Sequence, residues 1–412
     1  MDEYDVVILG AGYAGLVCAL RLTGHMRRTP FRVALINRQP DFVERLRLHE
    51  QISKRNAWPL PRRIPPLTHL AAESGFTFIE GDVTGLDRGA HTVSSVLAKQ
   101  RSTIRYRRLV VALGSQVDTE TVPGVAEHAL TLDADGPRAQ DTLRQHLLAL
   151  PLQAPIVVVG GGATGIEIAS DVAASGRPNV TLVDGAEVGA FATPPVKQLI
   201  LAALVRSGVR LVQKTRVLAV EHDRLVVETG TIAAALCIWC GGFTAGAGLR
   251  GLGLALERDG RIPIDPYLRA IEDPLIYAAG DACIPVEPHG APPRRSAFFA
   301  LATGAHVADT IAASCRGKEA RPFGFWTWGQ AISVGREAVG YATIPHDRQI
   351  GPIYRRRTAF WLRWFFVWLL AKILMWHLRW PRLPFWLGKH SWRRADVRKY
   401  ASPPADGAVD LG

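Results

Sequence analysis

The spacing Gly-x-Gly-x-x-Gly occurs twice in this chain, 150 residues apart, as Gly10-Ala11-Gly12-Tyr13-Ala14-Gly15 and as Gly160-Gly161-Gly162-Ala163-Thr164-Gly165. Each copy follows an apolar β-rich run, Val6-Val7-Ile8-Leu9 in the first and Ile156-Val157-Val158-Val159 in the second. Each is therefore expected to form a strand, a tight turn and a helix. In that arrangement the first glycine makes the turn, the second lets backbone N–H groups approach a diphosphate, and the third lets helix and strand pack closely. The helix N-terminus then favours the anion. A single copy is compatible with a ligand-free turn, whereas two copies in the same context predict a chain that holds two dinucleotides.

Around these motifs the pattern is α/β, with two Rossmann-like dinucleotide-binding domains and a C-terminal membrane-associating segment. In the first unit, strand Val6–Leu9, helix Tyr13–Leu22 and strand Phe31–Ile36 lead to short strands near Thr77–Ile79, Val83, Val93 and Ile104. It stops on Leu109-Val110-Val111-Ala112-Leu113-Gly114. A helical stretch, Pro137–Leu150, precedes the second unit, which repeats strand, helix and strand and stops on Leu236–Gly242. The chain then returns through Leu275-Ile276-Tyr277-Ala278-Ala279-Gly280-Asp281 and a helix at Ser296–Ala313. The expected divisions are 1–118 and 269–315 for the first domain, 119–268 for an inserted second domain, and 316–412 for a C-terminal interface region.

The net charge of +12 is concentrated: residues 355–400 carry 12 Lys and Arg against the single acid Asp396. Those cations are interleaved with Trp361, Trp364, Trp368, Trp376, Trp380 and Trp386, so the basicity does not indicate nucleic-acid binding. Rings beside cations and long aliphatics are the composition of a membrane interface. A helix from Phe360 to Trp380 would cover about 31 Å, just enough to span a bilayer. Lys372 near its middle would cost about 2.5–3.5 kcal/mol there. The polar residues do not segregate to one face. An interfacial helix, a span, and a core or homodimer helix are the three readings of this segment.

Five cysteines without a short-scaffold pattern suit a reducing compartment. Met1-Asp2-Glu3-Tyr4 runs straight into the first strand, so the body is expected at the cytoplasmic face of the cell membrane. Cys237 and Cys240 have the spacing of a redox or metal pair, but residues i and i+3 of a strand point to opposite faces, which predicts a core role. No second pair exists to complete a zinc site, and no metal site is expected.

The residue closing the second strand of each unit discriminates the nucleotide. Asp184, 24 positions after Gly160, would accept the ribose hydroxyls of NADH and repel a 2′-phosphate, although an Asp opening the turn before Gly185 is the plainer reading. In the first unit Asn37 stands in that position, able to accept a hydroxyl with less charge assistance or to act as a turn residue.

With these four motifs in order, the chain resembles the pyridine-nucleotide-disulfide reductase superfamily over roughly residues 4–315. The resemblance implies FAD in the first unit, NAD(P)H in the inserted one, and contact of Asp281 with FAD. The residues it and the motifs assign to FAD are Gly10, Gly12, Tyr13, Ala14, Gly15, Asn37, Arg38, Val83, Gly114, Gly280, Asp281 and Phe298. Those assigned to NADH are Gly160, Gly162, Ala163, Thr164, Gly165, Asp184 and Gly242. Residues 38–80 contain no cysteine, so thiol reduction is not expected. The helix beginning near Ser296 is expected to aim its N-terminus at the flavin.

A tethered FAD and NADH enzyme has a lipid-soluble quinone as its natural acceptor, and in this the chain is similar to type II, non-proton-pumping NADH dehydrogenases. Ile166-Glu167 matches that family's Gly-x-Glu pattern, which implies that Glu167 orients the nicotinamide or assists proton delivery. An acid favoured in the first turns of a helix is the alternative. His49 is a second candidate, as a proton source or as a surface or packing residue. The family's glutamines after the Gly-Asp motif are missing from Arg295–Gly304, which leaves Phe298 and Phe299 as apolar walls or points to another acceptor. A reductase of a small ferredoxin-like carrier and a tethered NADH-binding redox sensor with little turnover are the rival readings.

Overall fold

A computed structural model describes residues 1–27, 30–51, 64–132, 137–244, 246–286, 293–325, 329–344, 348–380, 383 and 399–400. The first apolar run forms β1 (Glu3–Leu9), the glycine turn leads into α1 (Tyr13–Met26), and the chain continues through β2 (Val33–Asn37) to β3 (Gln100–Val111). β1 lies between β2 and β3, parallel to both, and its residues Val6–Leu9 are fully buried, so both faces of the sheet are covered there. The short strand expected near Ile104 is the outer half of the long β3, onto which Thr92–Leu97 folds as a hairpin.

The second domain holds β4 (Ile156–Val159), α2 (Ala163–Ala174), β5 (Val180–Val183) and β6 (Leu236–Trp239). Its main sheet has five parallel strands, in the order Val209–Val212, β5, β4, β6, Ala129–Leu130. Cys237 and Cys240 fall in different apolar clusters of this domain, and no disulfide joins them. The strands that enter and leave it, Gln116–Val117 and Phe243–Thr244, pair with each other, so the domain is inserted on a two-stranded neck.

The chain returns to the first sheet earlier than the sequence suggests. Ile262–Ile264 pairs with Cys283–Pro285, while Leu249, Leu252 and Leu254 are buried in the first core. The apolar residues Leu249, Leu252, Leu254, Ile262, Ile264 and Leu268 thus belong to the first domain's core and not to the second's. β7 (Asp273–Ala278) then pairs with β3, and α3 (Ala297–Cys315) crosses α1. Gly304 makes that crossing close: a Cβ there would lie 2.1 Å from the Ala14 carbonyl oxygen.

The region after 316 contains a sheet not expected from its composition: β8 (Gly329–Val334), β9 (Glu337–Ile344) and β10 (Arg348–Arg355), antiparallel throughout. Ile332, Val334, Val339 and Tyr341 bury against the second domain's core. The aromatic segment follows as α4 (Arg356–Arg379), packed along α1 and along this sheet. Trp386 and most of residues 381–398 lie outside the described residues.

Candidate active site

The two glycine turns are built alike. In each, the third glycine has no room for a side chain: a Cβ on Gly15 or Gly165 would stand 1.8 Å from the carbonyl oxygen of Gly10 or Gly160. A Cβ on the middle glycine, Gly12 or Gly162, would meet nothing within 4 Å, so the backbone there faces open space. Neither helix has a side-chain cap or an acid in its first turn, which leaves its N–H groups available to an anion. The strand-closing residues brace these turns. Asn37 Oδ1 accepts the Ala11 N–H at 2.9 Å, Asp184 Oδ2 accepts the Gly161 N–H, and Asp184 Oδ1 accepts from Ala186 at 2.6 Å. Arg38 reaches Asp82 at 2.7 Å, one residue before Val83 on the strand Asp82–Asp87.

Where the first cradle meets the Gly280-Asp281 turn, the chemistry is that of a diphosphate-bearing ligand. Thr303 on α3 accepts the Gly280 N–H at 2.8 Å, fixing the turn, and Ser115 donates to Asp281 Oδ2 at 3.1 Å. Among the described residues, Asp281 Oδ1 and Arg295 Nε are buried without a hydrogen-bond partner. Burial pushes the Asp281 carboxyl up, opposed by Ser115 and by the nearby guanidinium groups of Arg45, Arg295 and Arg261. Three cations around the carboxylates of Asp281 and Asp259 leave a local excess of positive charge. Gly114 and Arg45 also meet here, with Arg45 donating to the Ser115 carbonyl at 3.2 Å. The orphaned acceptor, the cation cluster and the open face of Gly12 fit FAD, whose isoalloxazine, when bound, takes hydride from a nicotinamide and passes electrons on.

The walls expected from α3 differ from the sequence reading. Phe299 is buried in the first core, edge-on to Phe323 and Phe325, so it lines no open slot, while Phe298 is half-buried against Phe325. The α3 N-terminus is capped by its own Ser296, whose Oγ accepts the Phe299 N–H at 3.1 Å. Tyr13, inside the first motif, is buried and donates to Glu44. Gly242, in left-handed backbone, sits at the neck against Asp118.

The two candidate catalytic residues are brought together. His49 belongs to a 3-10 turn at Arg45–Gln51 and is buried, so it is not a surface residue. Its Nδ1 lies 2.7 Å from Asp171 Oδ2, and its Nε2 lies 3.3 Å from Glu167 Oε2 and 2.9 Å from Arg363 Nη2. Glu167 and Asp171 stand one turn apart on α2, facing inward from a helix that begins at the second glycine cradle. Glu167 Oε1 also receives Ser333 N–H at 3.1 Å, Ser333 Oγ at 3.2 Å and Arg363 Nη2 at 3.1 Å. Arg363 Nη1 holds Glu50 at 2.9 Å, and Arg47 holds the other oxygen of Glu50 at 2.7 Å.

Burial presses His49 toward its neutral form, but the carboxylates of Glu167 and Asp171 outweigh it and raise its pKa above the ordinary histidine range. Burial also pushes Asp171 up against the pull of His49. Glu167 goes the other way: burial would raise it, and Arg363, His49 and Ser333 together hold it below the usual carboxylate range.

Arg363 comes from α4, and this explains why that helix looks unpatterned. Its inner stripe, Ala359, Arg363, Val367, Ala371, Leu374 and His377, carries two polar residues. The large rings point outward: Trp361, Phe365, Phe366, Trp376 and Trp380 are 36–57% exposed. With charge inside and aromatics outside, polar and apolar residues are not sorted to opposite sides, although the two faces of the helix differ sharply in what they touch. Packed along the body by that inner stripe, α4 is not free to stand clear of the protein as a span. Beyond its C-terminal end the chain is tied to α1 by Arg21, which donates to the Leu383 carbonyl at 3.0 Å.

Sequence reasoning did not single out Asp171, Arg45, Arg261, Arg295 or Ser333, and counted Arg363 only among the cations of the C-terminal segment. Two acids at i and i+4 within the otherwise apolar α2 were the available signal for Asp171.

Comparison with known proteins agrees with this geometry. Residues 4–307 match the model of a family described as pyridine nucleotide-disulphide oxidoreductase. An NADH dehydrogenase-like protein of Mycobacterium tuberculosis is 33% identical over 302 residues, covering 67% of this chain and 72% of that protein. Demethylphylloquinone reductase of Synechocystis is 26% identical, covering 81% of this chain and 85% of that protein. Among solved structures, NDH2 from Plasmodium falciparum in complex with NADH superposes with a TM-score of 0.74 at 14% identity, covering 92% of this chain and 97% of the other. The chain therefore belongs to the pyridine nucleotide-disulphide oxidoreductase family, as an FAD-dependent NADH oxidoreductase of the NADH dehydrogenase-like kind.

Proposed function

We propose that this enzyme passes the electrons of NADH, by way of FAD, to a lipid-soluble quinone at a membrane surface. The first cradle, with Gly12, Asn37, Arg45, Gly114, Asp281 and Arg295, takes FAD. The second, with Gly162, Ala163, Thr164 and Asp184, takes NADH. This chain's own residues position the two nucleotides, and hold a proton at His49 and a negative charge at Glu167 beside α2.

The observation that carries the quinone reading is the outward face of α4. Four exposed aromatic side chains on α4 and Trp380 just beyond its end, beside Arg355, Arg356, Arg357 and Arg379, are suited to sit among lipid head groups. An acceptor dissolved in that lipid would then be within reach of the protein. The curated relatives whose names include quinone substrates support the same reading.

The test compares acceptors on the full chain: steady-state NADH oxidation with menaquinone and ubiquinone analogues against an added ferredoxin-type carrier. Turnover with a quinone and none with the carrier is expected, and the reverse would overturn the reading. The lipid contact is tested separately by co-sedimentation with anionic vesicles. Phe365→Ser with Trp380→Ser should lower the bound fraction severalfold, and unchanged binding would remove α4 as the contact.

A further inference from the structure

His49 Nε2 has two partners that cannot both be served in one protonation state. When the ring is neutral, with its proton on Nδ1 toward Asp171, Nε2 has a lone pair for Arg363 Nη2 at 2.9 Å. When the ring is protonated, Nε2–H becomes a donor, and the group placed to accept from it is Glu167 Oε2 at 3.3 Å. The groups facing His49 are Glu167 and Asp171 from α2, Arg47 and Glu50 from its own turn, Arg363 from α4, and the neutral Ser333 from β8. With neutral His49 these sum to one net negative charge, and with protonated His49 to zero. Both states are therefore electrostatically tolerable in this buried cluster.

The same residues border a partly open recess. His49, Glu50, Asp171 and Arg363 line a small cleft beneath α4, together with Phe360 and Trp364. At its other end the His49 turn reaches the first cradle through Arg45 and the Ser115 carbonyl. A group that can change its proton partner thus lies between the cleft and the flavin-binding side.

We propose that His49 is the relay for the proton that each quinone reduction takes from solvent, and that Asp171 is its positioning residue, holding the ring with Nε2 toward Glu167 and Arg363. The inference rests on the quinone reading above. The balance is simple: a quinone gains two electrons and two protons, the hydride leaving NADH accounts for both electrons and one proton, and the other proton leaves Nε2. His49 then recovers a proton through the cleft, so one proton is consumed per NADH oxidised. Asp171 acts through the imidazole, by fixing its tautomer and stabilising its charged form.

The test has a spectroscopic arm and a kinetic arm on the holoprotein. In nitrogen-15 NMR of the imidazole, neutral His49 should carry its proton on Nδ1. Asp171→Asn keeps an acceptor oxygen but removes the charge, and should lower the titration midpoint by about 1–3 pH units. In stopped flow, reoxidation of the NADH-reduced protein by a quinone analogue should fall above the same midpoint and follow it downward in Asp171→Asn. Reoxidation by ferricyanide, which takes electrons without protons, should show no such limb.

The wild-type protein alone already decides the matter, whatever the folding of the variant: a quinone limb that does not coincide with the His49 midpoint overturns the relay. A midpoint unmoved in Asp171→Asn removes Asp171 as the positioning residue. Quinone reoxidation that is fast but independent of pH defeats the relay and spares the quinone assignment. Failure of every quinone at every pH defeats both.

Discussion

Removing the Arg363 guanidinium is the perturbation with the clearest expected consequence. The side chain is 8% exposed and contacts Glu50, Glu167, His49 and the Leu46 carbonyl. Taking one partner from a buried ion pair costs about 3–5 kcal/mol, because the charge left behind has lost both water and its counter-ion. Here the lower end applies: Glu50 keeps Arg47, and Glu167 keeps Ser333 and His49. We expect Arg363→Met to lose about 3 kcal/mol in urea denaturation followed by tryptophan fluorescence. Adding Glu167→Gln should return about 1–2 kcal/mol of that, since the stranded charge is then gone.

The loss should also depend on pH, with a definite sign. Arg363 is the largest of the influences holding Glu167 below the usual carboxylate range; without it the folded carboxyl moves upward, and the stability that its lowering contributes shrinks. A carboxyl lowered on folding contributes stability above its unfolded value of about 4.3 and none in acid below its folded value, so the variant should lie closest to wild type in acid and furthest at neutral pH. A variant as stable as wild type, or strictly additive single substitutions, would refute the buried pair and with it the anchoring of α4 through charge.

Other consequences are equally direct. Gly15→Ala, whose Cβ would stand 1.8 Å from the Gly10 carbonyl, should not fold, whereas Gly12→Val, facing open space, should fold by circular dichroism and purify without its flavin absorbance. Asp184→Ser should reduce the preference for NADH over NADPH roughly 10- to 100-fold in kcat/KM, the worth of a charged hydrogen bond. His49, whose pKa is raised on folding, contributes stability that is fully present below about pH 6.5 and lost as pH rises through its higher folded value. In His49→Gln that alkaline loss of stability should disappear from a series of urea midpoints.

Both cradles and the insertion were legible because each rests on a local rule: an apolar run, a glycine turn and a helix are contiguous in sequence. The third glycines at 15 and 165 read correctly for the same reason, since the atoms they must clear belong to the same turn. The active-site network was only half legible. Glu167 was found by its distance from a motif, but its partners come from a 3-10 turn 118 positions earlier and a helix 196 positions later. No local pattern reports such a meeting. The α4 helix misled for a related reason: averaging over its length mixed an inward Arg363 and His377 with outward tryptophans. The sheet at 329–355 had a visible signal, the alternation in Ala331-Ile332-Ser333-Val334 before the turn at Gly335, but the charge and tryptophan of the following segment dominated the reading.

The most direct measurement is an anaerobic single turnover on the purified yellow protein. One equivalent of NADH is added, then one equivalent of a menaquinone or ubiquinone analogue, and the flavin spectrum and both products are followed. The account predicts bleaching by NADH, full return of the yellow colour on adding quinone, and one hydroquinone formed for each NADH consumed. Flavin that NADH does not bleach, or that stays bleached with every quinone, would contradict it.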